Sequence, residues 1–109
     1  MPKEAVIRKK VIEILKKEGW VCWCPKKVKF HETDVFGIVD LLALRGKQRK
    51  NVQLTTLPNV SAKRKKITNF LEKYNVEFPV EIWGWDGKKR KFRKEILDLK
   101  IRNRKNKRL

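Results

Sequence analysis

The segment Gly37-Ile38-Val39-Asp40-Leu41-Leu42-Ala43-Leu44 is apolar apart from one carboxylate near its centre. Its length and composition are those of a buried β-strand. A carboxylate in such a strand loses its hydration, which costs on the order of several kcal/mol unless a partner compensates. Asp40 is therefore predicted to be a metal ligand or an active-site residue, the alternative being an ion pair with a core-facing Lys or Arg.

A second strand follows this segment across a polar turn. Residues 45–50 are basic and contain a glycine, and residues 51–56 are rich in β-branched side chains. A hairpin folded at the middle of this turn places Asp40 opposite Thr55. Because strand side chains alternate between faces, Gln53 then shares one face with both. The hairpin predicts a polar cluster of these three residues.

The rest of the chain predicts two helices and further short strands around this hairpin. Apolar spacing, caps and turn residues predict helices at 3–18 and 61–74, strands at 20–24 and 79–85, a returning edge strand at 88–92 and a helical turn at 95–99. One mixed sheet flanked by helices, of the α/β class, is the simplest arrangement. It forms a single domain over residues 1–99, followed by a basic, flexible tail at 100–109.

The net charge of the chain indicates which classes of partner it is expected to bind. Its 109 residues carry 30 Lys and Arg against 12 Asp and Glu, which gives a net charge of +18. Such an excess favours an anionic partner. DNA, duplex or branched, is the leading candidate, with RNA as the alternative. Without an apolar run near 18 residues or a signal peptide, no membrane partner is expected, and the chain is predicted to be cytoplasmic.

Several basic residues are candidates for phosphate contact. The run Lys63–Lys66 crowds the first turn of the second predicted helix, where each cation is unfavourable by about 0.3–1 kcal/mol. Binding of phosphate there would explain the placement, whereas a solvated face is the alternative. The basic turn and the tail are further candidates. The predicted nucleic-acid-binding residues are Arg45, Lys47, Arg49, Lys63, Arg64, Lys65 and Lys66.

The four tryptophans have two interpretations. Unpaired bases stack on exposed aromatic rings, so tryptophans in a basic protein can contact nucleic acid. Trp20, Trp23, Trp83 and Trp85 all lie in predicted strands, however. Core packing is therefore the expected role.

Two short motifs carry a family resemblance. Asp40-Leu41-Leu42-Ala43 and Gln53-Leu54-Thr55, whose first residues are 13 positions apart (53 − 40), resemble the PD-(D/E)XK nuclease superfamily and, within it, archaeal Holliday-junction resolvases. The resemblance covers roughly residues 4–85. It implies a restriction-endonuclease-like fold, Mg²⁺ or Mn²⁺ as cofactor, hydrolysis of phosphodiester bonds in DNA, and a homodimer as one arrangement.

The metal ligands depart from the family pattern. The second family carboxylate, a Glu, is replaced by the neutral Gln53. Asp40, Gln53 Oε1 and the Leu54 carbonyl oxygen are the oxygen ligands that could hold a hard cation. Asp34 and Glu32 are the candidates for a second carboxylate.

The catalytic lysine of the family is also absent. Thr55 occupies its position. A lysine of the second helix could replace the catalytic lysine, where Lys63, Lys65 and Lys66 are available and Lys63 is the first choice. Many family members carry a Glu on the first helix, where this chain has Arg8 near the expected place and Glu4 and Glu13 as the nearest acids. The predicted catalytic set is Asp40, Gln53, Thr55 and Lys63.

Three functions follow from these features. The leading one is a Mg²⁺-dependent endodeoxyribonuclease, in which the metal activates water and stabilises charge on the scissile phosphate. The second is a catalytically inactive DNA-binding or architectural protein of the same fold. The third, an unrelated basic RNA-binding domain, leaves Asp40 unexplained.

Overall fold

The computed structural model describes residues 4–24 and 36–98. Its helices and strands, in chain order, are α1 (Glu4–Lys17), β1 (Val21–Trp23), β2 (Leu41–Arg45), β3 (Gln48–Thr56), α2 (Val60–Tyr74), β4 (Val80–Asp86) and β5 (Lys91–Leu97). A 3-10 turn at Leu57–Asn59 leads into α2. The domain belongs to the α/β class, as predicted from the sequence.

The five strands form one mixed sheet in the order β1-β2-β3-β4-β5. Neighbouring strands are antiparallel except β3 and β4, which are parallel. Parallel neighbours need a crossover connection, and α2 supplies it. The predicted mixed sheet is confirmed.

The two helices cover opposite faces of the sheet. The apolar stripe Ile7, Val11 and Leu15 of α1 packs on the face that carries Val52 and Leu54. The α2 residues Val60, Ile67 and Leu71 pack on the other face, against Val80 and Ile82. Each fully buried aliphatic side chain contributes about 1.5–3 kcal/mol. Because β3 alternates, Gln53 and Thr55 point toward the α2 face.

The β2–β3 hairpin turns earlier than predicted. Its loop is Gly46-Lys47, where Gly46 adopts the left-handed φ of +59° that a two-residue hairpin loop favours. Leu41 pairs with Val52, so the extended register places Asp40 opposite Gln53 rather than Thr55. The predicted register is wrong by two residues (55 − 53). An even shift leaves every side chain on its predicted face.

The strand predicted at 37–44 begins later than expected. β2 starts at Leu41, and Asp40 precedes it. Phe36 and Gly37 both have positive φ, 54° and 71°, which turns the chain just before the strand. Ile38 and Val39 are buried in the α2-side core without belonging to β2. The apolar run therefore combines a buried turn with a strand.

The last strand also differs from the prediction. The loop after β4 spans residues 87–90, because Asp86 Oδ1 accepts hydrogen bonds from the N–H groups of Lys88 and Lys89 at 3.0 and 3.2 Å. β5 then pairs with β4 along its whole length, to Leu97 opposite Val80. The helical turn predicted at 95–99 is wrong because cross-strand pairing extends through residue 97, and the edge strand predicted at 88–92 starts at Lys91.

Candidate functional site

Asp40 lies at the entrance of β2, with only 7% of its surface exposed. Its backbone N–H donates to the Val52 carbonyl oxygen at 2.8 Å. Its carboxylate Oδ2 accepts hydrogen bonds from the Leu54 N–H at 2.9 Å and from Gln53 Nε2 at 2.5 Å. These donors replace part of the water that burial removes. Strand β3 therefore holds the carboxylate through both its backbone and a side chain.

Gln53 is the side-chain partner of Asp40 and is 2% exposed. Its Nε2 also lies 3.3 Å from the Leu54 carbonyl oxygen. An amide oxygen facing Asp40 would repel the carboxylate, so the hydrogen bonds define which way this amide points. The fold thus brings together the predicted ligands Asp40, Gln53 and Leu54. Gln53 presents a donor to the carboxylate, however, and its Oε1 could join Asp40 around a cation only if the amide turned over.

A divalent-cation site around Asp40 is incomplete in the described residues. Within 4–24 and 36–98, no group of three or more His, Cys, Asp or Glu side chains could hold a metal ion. Mg²⁺ needs oxygen ligands, usually one or two carboxylates with several waters. Asp40 supplies one carboxylate, and one of its oxygens already accepts two hydrogen bonds from the protein. Asp34 and Glu32 lie outside the described residues. The described residues therefore supply one carboxylate at this place, and Mg²⁺ or Mn²⁺ as cofactor stays a prediction.

Thr55 and Lys63 meet at a different place from Asp40. Both border a cavity of about 230 Å³ at the carboxyl end of β3. Leu54 connects the two places, because its N–H binds Asp40 and the residue also lines the cavity. Neither Asp40 nor Gln53 is among the cavity's lining residues. The predicted catalytic set therefore divides into a buried carboxylate–amide pair and a threonine–lysine pair in the cavity.

An acid from the first helix also borders this cavity. Glu4 lines it, and its Oε2 forms an ion pair with Arg8 Nη2 at 2.5 Å. Burial raises the pKa of the Cys24 thiol, while the charges of Arg8 and Asp40 act on that pKa in opposite directions. Both charges therefore reach Cys24.

In the predicted basic turn, Arg45 forms hydrogen bonds within the domain, whereas Lys47 and Arg49 face solvent. Arg45 Nη1 donates to the Glu18 carbonyl oxygen at 2.9 Å, and its Nη2 donates to Gln48 Oε1 at 3.0 Å. These bonds connect the hairpin to the end of α1. They also occupy the Arg45 guanidinium, which is therefore less available to phosphate. Lys47 and Arg49 are exposed at the same hairpin. These two cations are better placed than Arg45 for contact with phosphate.

The basic run of α2 is likewise divided. Arg64 forms a two-point ion pair with Glu95 of β5, at 2.6 and 2.8 Å. The hydrogen bond from Arg64 lowers the pKa of Glu95. Lys65 and Lys66 are exposed, and Lys63 is half-buried beside the cavity. Three of the four predicted phosphate contacts in this run thus have no ion pair among the described residues.

A further basic surface was not predicted from the sequence. The loop and strand residues Lys88–Lys91 border a groove that also contains Lys10 and Lys17 of α1 and the ring of Trp85. Four consecutive cations are a visible signal in the sequence, but they were predicted to belong to an edge strand. Their proximity to α1 depends on tertiary packing.

Comparison with known proteins adds no identification. No protein-family model matches the chain, and no curated protein sequence matches it. Within the described residues, no helix has both the length and the apolar character needed to cross a membrane. The proposed function therefore rests on the charge and geometry described above.

Proposed function

We propose that this protein binds DNA through its cationic surfaces and does not cleave it. The net charge of +18 on 109 residues carries this proposal. Phosphates release condensed counterions when Lys and Arg neutralise them, which drives association with nucleic acid. Three of the described acids, Glu4, Glu81 and Glu95, form ion pairs within the domain. Each neutralises one cation, so the positive excess that remains for an external partner is unchanged.

We also propose that the scaffold is restriction-endonuclease-like. An opening helix, an antiparallel hairpin, a second helix and a parallel strand occur in the order that the resemblance implies. Asp40 and Gln53 face each other at the register position where the family carries its two carboxylates. The order of the elements and this juxtaposition support the finer fold assignment.

The chemistry of the Asp40–Gln53 pair supports the part of the proposal that concerns cleavage. Two carboxylates at this separation would repel unless a cation lay between them. An amide in place of one carboxylate removes the repulsion and satisfies the remaining carboxylate with a hydrogen bond. The pair is therefore stable without metal, and the catalytic cluster of the family becomes a structural contact.

A second candidate is a metal-dependent endonuclease of the same fold, acting on duplex or branched DNA. The cavity shared by Thr55, Lys63 and Glu4 favours it, since an amine and a carboxylate border one recess at the end of β3. This candidate requires the Gln53 amide to turn over, so that an oxygen replaces the donor that now faces Asp40.

A single set of reactions separates the two candidates. Purified protein is incubated with supercoiled, linear and branched DNA in Mg²⁺, in Mn²⁺ and in EDTA, and both complexes and products are resolved on gels. We expect complexes in all three buffers and no cleavage products. The salt dependence of binding, measured by anisotropy, should be steep.

Other results would change the assignment. Cleavage that requires Mg²⁺ and disappears in Asp40→Asn would establish the second candidate in place of the first. Tighter binding to RNA than to DNA of the same length would favour an RNA-binding domain. Failure to bind any nucleic acid at low salt would refute both candidates.

A further inference from the structure

Two adjoining recesses flank Trp85 at the carboxyl end of β4. They have volumes of about 460 and 1020 Å³ and share Lys10, Trp85 and Arg90 in their linings. Leu57 and Pro58, which follow β3, border the larger recess. The 3-10 turn that contains them separates this groove from the cavity of Thr55 and Lys63. The groove therefore lies at the same edge of the parallel β3–β4 pair as the candidate site, where α/β sheets commonly bind ligands.

The lining of this groove is strongly cationic. Lys88–Lys91, Lys94, Lys10 and Lys17 contribute seven positive charges, against only Glu13 and Asp86. Asp86 is already engaged, because its Oδ1 accepts the backbone N–H groups of the loop. Placing so many like charges around one recess is unfavourable in the unbound protein. A polyanion would relieve that repulsion.

Trp85 gives the groove an aromatic surface. Trp83, two residues earlier on the same strand face, is 1% exposed in the core under α1, whereas Trp85 is only half-buried at its rim. Phe92 meets the Trp85 ring edge-on, with centroids 5.1 Å apart, and Lys10 Nζ lies 5.0 Å from the ring centroid. The indole is thus held by its neighbours and borders both recesses of the groove.

A planar ring surrounded by cations is complementary to a nucleotide with its base exposed. Each base of a duplex is covered on both faces by its neighbours, so a duplex offers this groove phosphates but no base face. An unpaired strand offers both. Stacking on aromatic rings and contact of Lys and Arg with the backbone are the two interactions that bind single strands.

We propose that this groove binds an unpaired segment of DNA, with one base stacked on Trp85 and the neighbouring phosphates against Lys88–Lys91. The inference rests on the proposed function, DNA binding, and it specifies the structural form of the DNA. Duplex DNA would use the cations of the groove without the ring. The preference for unpaired DNA therefore depends on Trp85.

Substitution of Trp85 tests this directly. Binding of a short labelled oligodeoxythymidylate and of a duplex with the same number of phosphates is measured by anisotropy for Trp85→Leu and wild type. Stacking on one base implies a loss of about 5- to 150-fold for the single strand. The duplex should lose less than twofold. Trp23→Leu is the matched control, since Trp23 is an exposed tryptophan on the opposite edge strand, and it should bind both forms as wild type does.

A second pair of variants leaves the packing of the domain untouched. Lys88→Gln with Lys89→Gln removes two exposed loop charges. The salt slope, which is the steepness of log K plotted against log salt concentration, should then fall by about 1.4 for single-stranded DNA, at 0.7 per phosphate. Lys9→Gln with Lys16→Gln, two exposed cations of α1 outside the lining of the groove, is its control and should leave that slope unchanged. Circular dichroism establishes whether Trp85→Leu is folded. If it is not folded, the salt slope of the Lys88→Gln, Lys89→Gln variant tests the groove inference instead.

Each outcome has one meaning. Single-strand affinity within twofold of wild type in folded Trp85→Leu, or an unchanged slope in the loop variant, overturns the groove inference while duplex binding keeps the proposed function intact. Equal losses for single strand and duplex in Trp85→Leu also overturn it. Wild-type protein that binds neither form refutes the proposed function, and the groove inference with it.

Discussion

Asp40 could serve as a hydrogen-bonded carboxylate, as a metal ligand or as one half of an ion pair. Replacing it by asparagine and by alanine distinguishes these three roles. Asparagine keeps an acceptor oxygen for the Leu54 N–H and for Gln53 Nε2, but both hydrogen bonds lose the charge of the carboxylate. Alanine removes the acceptor altogether. Two buried donors then lose the partner that they share.

The hydrogen-bond geometry sets the size of each effect. Bonds to a charged group contribute about 1.5–3 kcal/mol and neutral ones about 0.5–1.5 kcal/mol, so asparagine weakens the two bonds by roughly 2–3 kcal/mol in total. Burial of a neutral amide costs less than burial of a carboxylate, which offsets most of that loss. We expect Asp40→Asn to be destabilised by about 0–2 kcal/mol. Each stranded donor costs about 1–3 kcal/mol, so Asp40→Ala should lose about 2–4 kcal/mol, since Gln53 Nε2 keeps the Leu54 carbonyl oxygen as an acceptor.

Urea denaturation, with and without Mg²⁺, measures both variants against wild type. A metal bound at tenfold excess over its Kd stabilises the folded state by about 1.4 kcal/mol, so a site at Asp40 would raise the wild-type midpoint and leave Asp40→Asn unchanged. We expect no such rise. A loss of about 3–5 kcal/mol in Asp40→Asn would refute the reasoning, because it is the signature of a stranded buried cation. Equal stability of the two variants would refute it as well.

Three further predictions concern the charged surface. Replacing Lys63, Arg64, Lys65 and Lys66 by Ala should lower the salt slope for duplex DNA by about 2.7, at 0.9 for each of three contacts, because Arg64 is held by Glu95; a fall of about 3.6 would show that Arg64 also contacts phosphate. Deletion of residues 100–109 removes six cations and should weaken DNA binding with little change in melting temperature; a large fall in that temperature would place the tail within the folded domain. Arg64 lowers the pKa of Glu95 from its ordinary value of 4.5, so its contribution to stability is present above about pH 4.5 and is lost as pH falls through the lowered pKa. Wild type should therefore exceed Glu95→Gln in stability at neutral pH, and the difference should vanish in strong acid; a difference that persists there would assign the effect to packing.

Local patterns in the sequence determined most of the elements. The helix predicted at 3–18 is α1 at Glu4–Lys17, and the helix predicted at 61–74 is α2 at Val60–Tyr74. Periodic apolar residues and helix-stop signals such as Gly19 act over a few positions, so they can be read without the rest of the chain. The same holds for the shared face of Asp40, Gln53 and Thr55, since an even error in register preserves it.

The burial of the four tryptophans could not be predicted from local sequence patterns. Core packing is the observed role of Trp20 and Trp83, which are 6% and 1% exposed, but Trp23 is 55% exposed and Trp85 borders the groove. All four were predicted to lie in strands. Whether a strand residue is covered depends on how far a helix extends across the sheet, and the spacing within the strand carries no information about that.

Tertiary structure alone decided the partners of the charged and polar groups. The sequence determined that the protein is strongly basic, that it contains an acid in an apolar segment and that a hairpin brings this acid near Gln53. The donation of Gln53 and Leu54 to Asp40, the pairing of Arg64 with Glu95 and the meeting of α1 with the Lys88–Lys91 loop join residues 13 to 81 positions apart (53 − 40; 91 − 10). Such contacts form only when sheet order and helix packing close long loops, and no periodicity within one element encodes which distant groups then meet.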